Sequence, residues 1–355
     1  MNQSKSNSIQ GLRFWAIGLI VASHCGFLSQ GGLGNCIFFA MSGFFACQPF
    51  ADEDYEYGYF SPANFIKYYI KRILRIMPVA WLVMAFAAWG LRYLDFRDFT
   101  TENSLLLNML FLNSKGHLWF LQQEVFFYIL APFMILIIGL VKKILSVVIK
   151  KGALNLVIFI LLTVCVFLSY KYVPMTGILL KGNGAATVPM LWLFLIGMSF
   201  AYLYKVLKSD IRASKSIASL FSVVGSMFVV TCLILTIVTS EEILSGIDAK
   251  YAGFYVGWEH QIICAYLAAA VMVTLALLPK SSLVNRFLGN SAFTALGNAS
   301  FSLYLIHFFL IGYFAELSVY SRLLVVGVLS IAMALMLYNY VEKPIMAASK
   351  KWFRK

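Results

Sequence analysis

Long apolar runs separated by short polar stretches set the pattern of this chain. Runs of about 18 to 24 residues are long enough to cross the hydrocarbon core of a bilayer as helices. Ten can be marked, at 9–28, 33–50, 75–92, 118–141, 153–171, 187–205, 216–239, 260–279, 298–316 and 319–341. The run Leu105–Leu112 is too short to cross and reads as an interfacial or re-entrant piece. No internal repeat, low-complexity tract or soluble domain interrupts the pattern. The expected fold is all-α: a polytopic transmembrane helix bundle of about ten spans, forming one membrane-embedded domain over residues 1–355.

Composition agrees. The chain is 61% hydrophobic and 12% charged, whereas about 25% charged residues is usual for a soluble domain. A net charge of +13 would by itself suggest nucleic acid, but its distribution fits membrane topology better. With the N-terminus placed inside, the inner segments hold 20 of the 28 Lys and Arg residues. The outer ones hold seven: Arg92, Arg97, Lys115, Lys171, Lys181, Lys250 and Arg322. That asymmetry predicts both termini in the cytoplasm and a multi-pass protein of the inner (plasma) membrane, without a nucleic-acid partner. The first span reads as a retained signal anchor. The six cysteines lie in or beside apolar spans with no CxxC spacing, so they read as small packing residues rather than as metal ligands.

Candidate chemistry begins in the first span. Arg13 and His24 are eleven residues apart, which on a helix puts both on one face about 16 Å apart along the axis. Ionisable residues inside a span are expensive and mark functional sites; an Arg that snorkels and a His bonded to a neighbouring helix account for them equally. Lys71, Arg72 and Arg75 share one side of a helix that enters the membrane at Pro78, downstream of the acidic stretch Asp52–Glu56. Such a cluster suits phosphate, and positive-inside flanking alone also explains it. Glu124, near the start of an inward-running span, is expected at a depth comparable to His24, where the two would pair and the carboxylate would orient the imidazole as a general base. A structural polar clasp is the alternative. His307 is a second intramembrane histidine and reads as a hydrogen-bonded core residue. The glycines of Gly31-Gly-Leu-Gly34 and Gly43 read as helix packing, and Glu342-Lys-Pro344 as the end of the last span.

Taken in order, these residues resemble the acyltransferase-3 family of integral-membrane O-acyltransferases. The likeness rests on Gly11-Leu-Arg13 with His24, Phe39-x-x-Ser-Gly-Phe44, Arg72-x-x-Arg75-Ile-x-Pro78, Trp119-x-Leu-x-x-Glu124 with Tyr128 and Pro132, Ser302-Leu-Tyr-Leu-x-His307, and Glu342-Lys-Pro. It extends from residue 11 to residue 344.

The resemblance implies ten core helices, an acyl-coenzyme A donor, in the commonest case acetyl-coenzyme A, approached from the cytoplasm, and no metal. Transfer would be to a hydroxyl of an envelope glycan or glycolipid such as lipopolysaccharide. It also implies donor-binding roles for Arg13, Arg72 and Arg75, and a catalytic role for His24. Two departures are visible. Phe120 stands where the family has Ser, and Gln123 precedes Glu124 where an acidic pair is usual. The soluble esterase-like domain fused to some members is not expected here. A transporter of a polar envelope metabolite is the other reading that intramembrane Arg, His and Glu allow, although no inverted repeat of the transporter kind appears.

Overall fold

The computed structural model describes residues 3–48, 62–90, 105–112, 114, 116–172, 190–239, 243, 250 and 262–352. Among these the chain is helical and contains no strand. The acidic stretch 52–56 and the cations Arg92, Arg97, Lys115, Lys181, Arg354 and Lys355 lie outside the described residues. In chain order the helices are α1 (Gln3–His24), α2 (Gly31–Cys47), α3 (Pro62–Ala85), α4 (Leu105–Met109), α5 (Leu118–Leu145), α6 (Lys151–Tyr172), α7 (Leu191–Ala213) and α8 (Lys215–Val238). They continue with α9 (Ile262–Leu277), α10 (Leu283–Leu288), α11 (Ser291–Asn298), α12 (Ser300–Tyr313), α13 (Val319–Leu337) and α14 (Lys343–Trp352). Wider π-helical turns follow α3 at Phe86–Gly90 and α13 at Tyr338–Glu342.

Each of the ten apolar runs carries one of these helices. Six described stretches are long and apolar enough to cross a membrane, and α11 with α12, bent by 70° at Ala299, make a seventh if taken as one span. The protein is therefore a multi-pass membrane helix bundle. Helices α2 and α9, of 17 and 16 residues, reach only about 25 Å at 1.5 Å per residue. Both are largely buried among other helices, so protein rather than lipid surrounds much of their length.

Helix α1 is the hub, touching α2, α9, α10, α11, α12 and α13. Its polar residues Gln10, Arg13 and His24 thus meet other helices instead of lipid, as intramembrane polar groups require. The helix stops at His24 although the apolar run continues to Leu28. Gly26 adopts φ +82°, Phe27 N–H reaches back to Ala22 O at 2.9 Å and Gly26 N–H to Ser23 O at 2.8 Å, which is a Schellman ending. His24 is accordingly the last residue of α1. Pro78 lies inside α3, the helix that starts at Pro62 and carries Lys71, Arg72 and Arg75.

Small residues let the inner helices approach backbone to backbone. A Cβ on Gly43 of α2 would meet the Phe194 peptide of α7, and one on Gly197 of α7 would meet Ala40 and Phe44 of α2. The crossing is reciprocal, as small residues at membrane-helix interfaces permit.

Candidate active site

Helix α3 carries Asn64, Lys67, Tyr68, Lys71, Arg72 and Arg75 at helical spacing, and together they line a groove of about 330 Å³. Its charged residues are all cations. The Arg72 guanidinium lies over the rings of Tyr128, at 4.4 Å, and Tyr68, at 5.3 Å, contacts that hold a planar cation in place. Arg75 also lines a second cavity, of about 210 Å³, that runs into the bundle. Arg13 and Gln10 of α1, Ser42 of α2, Glu124 and Tyr128 of α5, Tyr304 of α12 and Glu342 share that cavity.

Two arginines and two carboxylates thus face one chamber. Ser42 Oγ and the Tyr128 hydroxyl, one turn along α5, both donate to Glu124. Ser302 Oγ donates to Glu342, which the π-helical turn at Tyr338–Glu342 carries into the interior at 6% exposure. Arg13 lies within electrostatic reach of Arg75, Glu124 and Arg72. Among the described residues its buried Nε has no hydrogen-bond partner. A buried donor left unmade is costly, so this one suits a ligand that brings its own acceptor oxygens.

Three histidines gather at the other end of α1. His24 Nδ1 lies 2.9 Å from His307 Nε2. The two ring planes are within 3° of parallel with centroids 5.1 Å apart. With the nitrogens so much closer than the ring centres, the imidazoles meet edge to edge in one plane. His117, just before α5, donates from Nε2 to Leu305 O at 3.1 Å, leaving its buried Nδ1 without a partner among the described residues. Its ring lies 5.3 Å from that of His307. Tyr304 joins this cluster to the chamber: it lines the cavity, donates to His117 O, and its ring lies 5.7 Å from His307.

The expected pairing of His24 with Glu124 is not what forms. Glu124 is seven residues beyond His117 on α5, about 10 Å farther along the helix axis, and its partners are Ser42 and Tyr128. His24 meets His307 instead. The structure brings Arg13, Arg75 and Glu124 into one chamber, sets Arg72 behind Tyr128, and leaves His24 in the histidine cluster. Sequence reasoning missed Ser42, Tyr304 and His117 and read His307 and Glu342 as structural. The available signal was the count. Only four histidines occur in the chain, and three meet here.

The model of the acyltransferase-3 family, described as an acyltransferase domain, matches residues 6–339, nearly the whole chain. The chain belongs to this family. It is an acyltransferase, and the histidine cluster and every chamber residue named above except Glu342 lie within the matched residues. Searches of curated proteins and of solved structures return no match.

Proposed function

We propose that this acyltransferase-3 protein moves an acyl group, in the simplest case acetyl, from acyl-coenzyme A at the cytoplasmic face of the inner membrane to a hydroxyl of an envelope glycan or glycolipid. The observation that carries this reading is Arg75, which belongs both to the cationic groove on α3 and to the chamber holding Arg13. Phosphates of the donor would meet Lys67, Lys71, Arg72 and Arg75, since charge-assisted bonds from Arg and Lys to phosphate are strong. The pantetheine arm would follow the chamber past Arg13 toward Tyr304. Arg13 and His24 stand about 16 Å apart along α1, a span of the order of that arm.

At the far end His24 would take the proton from the acceptor hydroxyl as its oxygen attacks the thioester carbonyl. The new ester bond forms, the carbon–sulfur bond breaks, and the departing thiolate takes up a proton. Glu124, held by Ser42 and Tyr128, is the chamber's counter-charge to Arg13.

The test is thiol release from acetyl-coenzyme A by the purified full chain, with donor binding measured separately. Bonds to charged groups contribute about 1.5–3 kcal/mol each, so Arg72→Gln with Arg75→Gln is expected to weaken donor binding at least about tenfold while insertion is preserved. Unchanged donor binding in the double variant would leave these arginines as topological flanks and end the reading.

A further inference from the structure

Bonding at the His24–His307 pair fixes where its protons sit. His307 Nδ1 lies 2.7 Å from Tyr304 O and 3.2 Å from Leu303 O. Both are backbone carbonyls on the preceding turn of α12, and a carbonyl can only accept. Nδ1 must therefore carry the proton, which leaves the lone pair of neutral His307 on Nε2. That atom is the one 2.9 Å from His24 Nδ1. His307 is fully buried, and the titratable groups in electrostatic contact with it are the histidines His24 and His117, so a charged His307 would be a buried cation without a counter-ion. Nε2 of His307 accepts, and His24 Nδ1 donates.

We propose that His307 is a positioning residue. It fixes His24 in the tautomer with its proton on Nδ1 and so exposes the Nε2 lone pair as the base. The order of control runs from the α12 backbone through His307 to His24. The coplanar edge-to-edge geometry also fixes the direction in which that lone pair points. The role of His307 in turnover rests on the acyl-transfer reading above, but the tautomer itself does not.

The experiment uses the full chain labelled with ¹⁵N-histidine in detergent micelles. With four histidines in the chain, the His24 signals are assigned by their loss in His24→Gln. In the parent at neutral pH, Nδ1 of His24 is expected protonated and Nε2 bare; the opposite tautomer overturns the proposal whatever the activity. His307→Leu removes the acceptor and should release His24 from that tautomer. It should also lower kcat by about 10- to 100-fold, as loss of a group that orients a functional histidine does, with the donor KM unchanged. His307→Gln can offer a side-chain carbonyl to His24 Nδ1 and should restore both the tautomer and most of kcat. If His307→Leu loses activity while the His24 tautomer stays as in the parent, His307 acts by some other route and the proposal fails. If His307→Leu does not fold, the parent spectrum and the Gln variant decide. A parent that holds the expected tautomer yet transfers no acyl group would refute the proposed function and leave the tautomer assignment standing.

Discussion

Gly11→Ala is the sharpest test of how the fold sets the chamber. A Cβ at Gly11 would lie 2.6 Å from the carbonyl carbon and 3.0 Å from the Cα of Leu288, and closer still to the Leu288 carbonyl oxygen. Carbon atoms rest at about 3.5–4.0 Å, so α1 and the end of α10 must separate by at least about 1 Å. Neither side can give cheaply, because the obstacle is backbone. Arg13 is two residues along α1 and moves with it. Overpacking of this kind costs about 1–3 kcal/mol, partly offset by the gain of about 1 kcal/mol for Ala over Gly in a helix. Stability should therefore fall by up to about 2 kcal/mol. Turnover should not be so forgiving, since a misplacement of about 1 Å can cost about 10²-fold. Gly18→Ala is the control on the same helix, because nothing lies within 4 Å of its added Cβ. Thiol release at saturating donor, with thermal unfolding in the same detergent, measures both effects. Parental turnover in Gly11→Ala would show that the chamber does not depend on this close approach.

Other outcomes are expected. His24→Ala should abolish detectable acyl transfer while donor binding persists, since general-base catalysis contributes about 10²- to 10⁴-fold; equal turnover would remove His24 from the mechanism. Ser302→Ala should lower stability by about 1–3 kcal/mol by leaving Glu342 short of a partner, seen as a lower unfolding temperature that Ser302→Thr restores; an unchanged temperature would mean Glu342 finds another donor. Reporter fusions after Asp210 and after Lys355 should read cytoplasmic and one after Lys250 external, and a cytoplasmic signal after Lys250 would break the proposed topology.

The helices were legible in the sequence because the membrane demands long apolar runs, and every predicted run carries a helix. Their ends were less so. Hydropathy counts Cys25, Gly26, Phe27 and Leu28 as a continuation of the first span, whereas Gly26 at positive φ ends the helix. In the site, Arg13 and Glu124 were found because a charge in an apolar run stands out, and Arg75 because it shares a helix face with Lys71 and Arg72. His307 and Ser42 were not assigned roles, because their partners are 283 and 82 residues away in sequence and only the fold joins them. Glu342 was discounted for lying beside a proline at the apparent end of a span. Nothing in local composition announces the wide turn that directs it inward.

That wide turn has a consequence for how the chamber tolerates change. A π turn accommodates one residue more than an α turn, and one residue is about 100° of helix rotation. Val326, Ser330 and Ala334 hold one buried face along α13, and the extra residue within Tyr338–Glu342 re-phases the helix beyond it. Glu342 is therefore in the chamber by count as much as by identity. Deleting a single residue such as Asn339 would keep every functional side chain in the chain, yet swing the carboxylate and the whole of α14 about a quarter turn around the axis.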